Sequence, residues 1–425
     1  MKRDYRLIVA LLGVILPISM TAAEEQAATD LASAITSGKV TIGGRYRYEH
    51  VNQDNALDNA NASTLRLRLN YRTGAWNGWS GFAEFDHVFH VLIDDFNSGE
   101  GTSPNRSQYS VVADPKGSDL NQLYFEQGVS DDWKFRFGRQ RILLDNQRFV
   151  GGVGWRQNEQ TYDALTLNTA AIANTTLTYS YVNRVRRIFG PTVAAGSDRV
   201  DGHLFNARVS IDDSWSVTPY FYYLDYAFGN LNVPDPDSND LRRAASSTAT
   251  AGIRAAGSLE AGGGKATLLA EFAVQSDAAD APVKYDANYL HLSALWTMQN
   301  SLAVGLGFES LGGSSDPGEA FRTPLATLHA FNGWADQFLT TPTGGIDDLY
   351  VTVKYAFGPW NLTGVYHDFS AETGGIDYGG ELDVSVGRKL GGRYGVLFKG
   401  AFFSADSGSA LVDTNKFWIM LTADY

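Results

Sequence analysis

The sequence predicts an all-β fold: a transmembrane antiparallel β-barrel of about 18 strands, with short periplasmic turns and long extracellular loops. Three observations predict it. Amphipathic runs of about ten residues recur from Lys39 to the last residue, the length a tilted strand needs to cross an outer membrane. The connections between these runs alternate, short then long. The chain is 44% hydrophobic and 12% aromatic with 44 glycines and a mean hydropathy of −0.20, yet no long apolar helix follows the first 23 residues.

The N-terminus reads as a targeting segment. Lys2, Arg3 and Arg6 precede the apolar run Leu7–Met20, and the small residues Thr21, Ala22 and Ala23 precede Glu24. This is the pattern of a secretory signal cut near Ala23. Pro17 interrupts the run, which is shorter than the roughly 20 residues an anchoring helix needs. The expected organisation is a signal peptide at 1–23, a short periplasmic segment at 24–38 and a barrel at 39–425. Within the short segment, Asp30–Ser37 suits a helix with Asp30 as cap and Leu31, Ala34 and Ile35 on one face.

Strands are expected near 39–51, 63–73, 78–89, 119–129, 132–142, 161–168, 174–184, 201–211 and 214–225. They continue near 246–258, 264–275, 285–298, 300–310, 346–357, 359–369, 376–389, 391–403 and 413–425. Short connections include VSDD before Trp133, IDDS before Trp215, Met298-Gln299-Asn300, Phe357–Pro359 and Leu390–Gly392. The long polar ones are 90–118, 143–160, 226–245 and 311–345. An even strand count puts both mature ends on the periplasmic side. The last strand sets Phe417, Ile419, Leu421, Ala423 and Tyr425 on one face, which suits lipid.

Charge narrows the function. The formal net charge is −13, and removing the signal takes away three basic groups and one acidic one. A net charge this acidic argues against general polyanion binding, and nothing in the sequence suggests nucleic-acid binding, so any affinity for anions must come from locally placed arginines. The absence of cysteine is compatible with passage through an oxidising periplasm without disulfides.

Those arginines alternate with apolar residues. Arg45 and Arg47 share a face with Lys39, Thr41 and Glu49, opposite Val40, Ile42, Tyr46 and Tyr48. Arg66, Arg68 and Arg72 alternate with Leu65, Leu67, Leu69 and Tyr71. An arginine on the lipid face at mid-membrane costs roughly 2–4 kcal/mol, so these side chains are expected to turn into the bore. Arg208, Arg254, Lys354 and Lys399 take equivalent positions farther round. Acids are expected inside as well: Glu84, Glu126, Glu271, Glu309, Glu381 and Asp383.

The stretch Asp132–Asp163 concentrates the pattern. Trp133, Phe135 and Phe137 lie on one side of a strand and Lys134 and Arg136 on the other, followed by Arg139, Arg141, Arg148 and Arg156 in a polar, glycine-rich segment. Arg139 is out of phase with Arg136, so a bulge sits at Gly138 or the strand ends there.

The chain resembles the alginate-export family of outer-membrane barrels over nearly all of its mature length. The resemblance is sharpest in RYRYEHV (45–51), GRQRILLDNQRFVGGVGWRQNEQTYDAL (138–165) and FRTPLATLHAFNGWADQFLTTPTGGIDDLYV (321–351). It implies an eighteen-stranded barrel with an arginine-rich constriction that passes an anionic uronate polymer. Carried over by motif, Arg45, Arg47, Arg139, Arg148 and Arg156 are the implied constriction or substrate contacts. Asn158, Asp163, His329, Asn332, Asp336 and Asp348 are implied supports or loop contacts. The alginate exporter gates with an outer loop and a long late periplasmic turn. Segment 90–118 could be that loop, but the late turn here is only Leu390–Arg393, so gating and export direction do not carry over.

The sequence thus points to an outer-membrane channel for anionic polysaccharide or its oligomers. Its expected substrate or pore-lining residues are Arg45, Arg47, Arg66, Arg68, Arg136, Arg139, Arg148, Arg156, Asn158, Asp163, Glu126 and Lys354. Guanidinium forks suit carboxylates, and several weak sites release a permeant where one strong site would hold it. The alternative is a selective uptake porin for small anions or oligosaccharides. The expected partners are the anionic saccharide, outer-membrane lipid and, for export, periplasmic secretion components, with a monomer favoured over a trimer. Neither catalysis nor a cofactor is expected: the seven histidines are scattered and no serine has a nucleophile context. His87 and His90 with Asp94 and Asp95 read as a polar loop rather than a metal site. Asp235–Asp240 lacks the glycine and final glutamate of a calcium loop, and Gly262–Lys265 lacks phosphate-loop spacing.

Overall fold

The computed structural model describes residues 28–130, 132–226, 244–284, 286–316 and 319–425. The expected signal at 1–23 and most of the loop at 226–245 lie outside these residues. A short helix, α1 (Leu31–Thr36), precedes eighteen strands. The first nine are β1 (Lys39–Gln53), β2 (Ala60–Arg72), β3 (Trp79–Asp95), β4 (Gly117–Ser130), β5 (Trp133–Gln140), β6 (Thr161–Ile172), β7 (Thr175–Arg186), β8 (Ser197–Ser210) and β9 (Trp215–Asp225). The rest are β10 (Thr248–Ala261), β11 (Gly264–Asp277), β12 (Asp286–Met298), β13 (Leu302–Leu311), β14 (Ile346–Phe357), β15 (Trp360–Ser370), β16 (Asp377–Leu390), β17 (Tyr394–Ala405) and β18 (Thr414–Asp424). Each pairs antiparallel with its chain neighbours, and β1 pairs with β18 from Gly43–Asp424 to Gln53–Thr414. The sheet therefore closes into a barrel and leaves no edge.

Alternation sets which side chains face out. Leu67, Leu69, Phe85, Leu123, Phe125, Phe137, Phe272, Leu292, Leu306, Val351, Leu382 and Phe402 are exposed on the outer wall, an apolar band of the kind lipid covers. Trp79, Trp133, Trp296, Phe357 and Tyr394 are exposed at the short-turn end, where an aromatic girdle meets the membrane interface. Tight turns there follow local chemistry. Gly262 and Gly263, with φ of 56° and 76°, make the two-residue β10–β11 connection, which needs positive φ at both central positions.

At the long-loop end two strands run four or more residues farther than hydropathy suggests. β3 continues through 90–95 and β8 begins at Ser197. Beyond the lipid band the outer face no longer has to be apolar, so the alternation fades while the ladder continues, as in the Asn61–Asp95 pairing.

The buried core lies inside the barrel rather than between layers. The long connections 141–160 and 312–345 fold into the bore and meet there, with Gly151 N donating to Leu325 O and Thr327 N to Gln147 O. Phe149, at the tip of the first, packs 5.1–6.0 Å from the rings of Tyr220, Tyr222, Tyr289 and Phe321.

Candidate functional site

The inward faces of β1 and β2 supply the first layer. Arg45 and Arg47 are buried beside Glu49 and Val51, while Val40 and Ile42 on the opposite face are exposed. Arg45 Nε donates to Gln157 Oε1 (3.0 Å) and its Nη1 to the Gly154 carbonyl (2.9 Å), with the Arg156 carbonyl also accepting. Arg47 bonds Glu49 (2.7 Å), reaches the Trp155 carbonyl, and lies 4.2 Å over the Trp155 ring. Two wall arginines thus clamp the backbone of the first inward loop.

The loop answers with cations of its own. Arg148 Nε donates to Glu309 on β13 (2.7 Å) and its Nη2 to Asn332 Oδ1 (3.0 Å), with the guanidinium 4.9 Å over Phe331. Asn332 donates onward to Glu309 (2.8 Å) and Asp348 (3.2 Å), and Asp348 meets His367 at 2.8 Å. Arg156 reaches Glu49 (3.0 Å) and Asp336 (3.3 Å), and Asp336 also holds Lys416 and His329, each at 2.7 Å. Burial opposes the Asp336 charge, but His329, Lys416 and Arg156 hold its carboxyl well below the usual range. Burial likewise opposes the Arg156 charge, and Glu49, Asp114 and Asp336 outweigh it.

A second network lies on β2–β5. Arg68 pairs with Asp86 (2.6 Å) and Glu159 (3.0 Å), Arg66 with Glu159 (3.4 Å), and Arg141 with Glu159 and Glu84. Burial disfavours the Glu159 anion, yet Arg68, Arg141 and Arg66 pull its pKa down to about 2. Nearer the short turns, Arg136 pairs with Glu126. Asn158 Nδ2 donates to the Ile188 carbonyl (3.0 Å). Lys354 is exposed, two positions along from Thr352 on the inward face of β14. The arginines at 47, 66, 68, 136, 148 and 156 thus each face a carboxylate.

Arg139 and Asp163 do not join them. Their residues pair directly, next to Phe137–Leu165, and Asp163 sits between the buried, inward Tyr162 and Ala164. The two therefore share the outward face, bonded at 2.9 Å, with Arg186 on the same carboxylate (2.8 Å). Gly138, at φ 122°, shifts no register. β5 is the shortest strand and stops at Gln140, so Arg139 reaches along the sheet to the Leu120 carbonyl (2.8 Å) at the notch it leaves.

The loops leave a cavity of about 420 Å³ at the long-loop end. Among the described residues, Arg148, Arg156, Arg187, Arg322 and Lys416 line it, with Asp336 as the carboxylate and Phe189, Phe338 and Thr340 between them. Glu49, Glu309 and Asp198, which pair with three of these cations, stand behind the lining. The cavity wall therefore presents guanidinium and ammonium groups beside Asp336, with Glu49, Glu309 and Asp198 set one layer deeper. Arg187, Arg322 and Lys416 are absent from the sequence-derived set. The first two lie in irregular connections that carry no periodic signal, whereas Lys416 could have been found from its alternation with Phe417 in β18.

A family model described as "Alginate export" matches residues 39–306. No curated protein matches the chain. Among solved structures the barrel is similar to Acinetobacter baumannii OccAB4 at TM-score 0.70 and 13% identity, over 91% of this chain and 98% of that one. It is similar to A. baumannii OccAB2 at TM-score 0.70 and 14% identity, over 92% and 99%. Pseudomonas aeruginosa OpdK, solved with vanillate, gives TM-score 0.66 and 12% identity over 91% and 98%.

Proposed function

Because the chain belongs to the alginate-export family of outer-membrane barrels, we propose that it conducts short carboxylated saccharides, uronate oligomers foremost, through a bore whose outer half its own loops narrow. The observation that carries this reading is the cavity whose described lining holds five cations and one carboxylate. Its volume suits a small ligand rather than a running polymer, since pockets of about 300–1,000 Å³ hold drug-sized molecules. The carboxylates of the permeant would exchange with those already behind the arginines. Arg66, Arg68, Arg136 and Arg156, with Asn158, Glu126 and Lys354, would form the path, with ion pairs keeping the arginine sites weak enough to release their guest, while the enclosed Arg45, Arg47 and Arg148 would brace the loops that narrow it. The vanillate named with OpdK is itself a carboxylate, which suits a small-anion reading of the same cavity. Passage of a long polymer requires both inward loops to leave the bore.

The test is a planar-bilayer measurement. The protein is expected to show an anion-selective reversal potential and block by short oligouronates, with neutral oligosaccharides of equal length blocking less. Arg187→Ala with Arg322→Ala removes two contacts of about 0.2–1 kcal/mol each and should weaken that block roughly 2- to 30-fold. Cation selectivity, or equal block by neutral and acidic oligomers, refutes the proposal.

A further inference from the structure

Helix α1 leaves an apolar face without a protein partner among the described residues, and its position says what covers it. Asp30 caps the helix, accepting from Ser33 N at 2.7 Å, and Ala34 is buried against the barrel. Leu31 and Ile35, one turn apart on one face, are 55% and 51% exposed. The helix is tied to the short-turn end of the wall: Gly74 N donates to Ala34 O (2.8 Å) and Ala28 N to Ala75 O (2.9 Å).

The decisive contact is Tyr71. It alternates with the exposed, outward Leu67 and Leu69 on β2 and pairs with Val40, so its ring lies on the outer wall. Its hydroxyl donates to the Ile35 carbonyl, and a Cβ on Gly38 would strike its ring at 2.4 Å. The chain therefore passes from α1 to β1 over the outside of the barrel, not beneath its mouth. On one side stands Trp79, at the start of β3, and on the other Tyr425, whose backbone exchanges hydrogen bonds with Ile42. Both lie at the level of the aromatic girdle. α1 sits between them, over β1 and β2, against Tyr71.

We propose that α1 is an interfacial foot lying in the periplasmic leaflet, with Leu31 and Ile35 in contact with phospholipid. Val40, which pairs with Tyr71, and Ile42 and Leu69 on the same outer wall are exposed and apolar as they are. Ser33, Thr36 and Ser37 supply the polar side such a helix turns toward water. The foot fixes the height of the barrel in the membrane at one point of its rim, where a strand-borne girdle residue does so elsewhere. This inference does not depend on what the channel conducts.

The protein contains no cysteine, so single labels can be placed without background. Leu31→Cys and Ile35→Cys, each spin-labelled in the full barrel, are reconstituted in phosphatidylethanolamine–phosphatidylglycerol vesicles, with Leu69→Cys as lipid reference and Thr36→Cys as aqueous reference. Collisions with oxygen, which partitions into lipid, are compared with collisions with a water-soluble nickel chelate. The oxygen-to-nickel ratio at 31 and 35 is expected to exceed that at 36 several-fold and to approach that at 69. Ratios at 31 and 35 equal to that at 36 place the face in water and overturn the proposal. The variant Leu31→Asp is expected to raise nickel access at a label on position 35 while leaving conductance unchanged. Unchanged access there also overturns it.

Discussion

Replacing Arg148 with alanine tests the loop-plug arrangement most directly. Among the described residues Glu309 has no other ion-pair partner, and both groups are fully enclosed. The variant strands a buried carboxylate that keeps only Tyr289 Oη (2.7 Å) and Asn332 Nδ2 (2.8 Å) as donors. Removing one member of a buried pair costs about 3–5 kcal/mol, which raises the population of the displaced loop roughly 100- to 5,000-fold. The closed sheet does not depend on this contact, so the loss is expected in the loop and not in the wall. Hydrogen exchange followed by mass spectrometry should show peptides within 141–160 losing protection while those of β10–β12 keep theirs. Single-channel traces should gain long high-conductance openings. The pair of changes Arg148→Met and Glu309→Gln removes both charges and should restore most of the protection. Unaltered exchange over 141–160 in the alanine variant refutes the idea that this ion pair holds the loop in the bore.

Arg156→Ala is expected to be milder, because Glu49 keeps Arg47 and Asp336 keeps Lys416 and His329; a loss of about 1.5–3 kcal/mol, read by the same exchange assay, should fall below that of Arg148→Ala. Acid should loosen the plug. Burial, with Lys399 and Arg156, outweighs Asp336 and lowers the His329 pKa to about 3, while Glu159 is held at about 2. Both folded values lie below the unfolded ones, so the stability they contribute is complete above about pH 6.5 and is lost as pH falls toward 2. Protection over 141–160 that stays flat from pH 7 to pH 3 would contradict this. Gly138→Ala puts a Cβ 2.4 Å from the Leu123 carbonyl at φ 122° and should cost about 1–3 kcal/mol. It should lower the temperature at which the folded band is lost in heat-modified electrophoresis, whereas Gly128→Ala, with open space around it, should not.

The barrel is legible in the chain because one energetic rule, no guanidinium against lipid, acts on every spanning strand. It recovers all eighteen strands and turns the arginines at 45, 47, 66 and 68 inward. The rule stops where lipid stops. Arg139 and Asp163 stand near the long-loop ends of their strands, where an outward charge meets no hydrocarbon, so their facing follows strand phase alone. The loop arginines Arg148 and Arg156 stand out by motif. Their neutralisation by Glu309, Glu49 and Asp336 does not, because it depends on loops folding inward by contacts 107 to 180 residues apart. The cationic cavity is a product of that folding, which is why Arg187 and Arg322 escape a reading by periodicity.

The Arg148–Glu309 and Arg156–Glu49 pairs each join a loop to the wall, which constrains how such a protein can diversify. A loop exchanged alone between relatives would arrive with cations whose counter-charges stayed behind in the donor's strands. New permeants are therefore more readily acquired by single changes along the cavity wall than by transplanting the segments that carry Arg148 and Arg156.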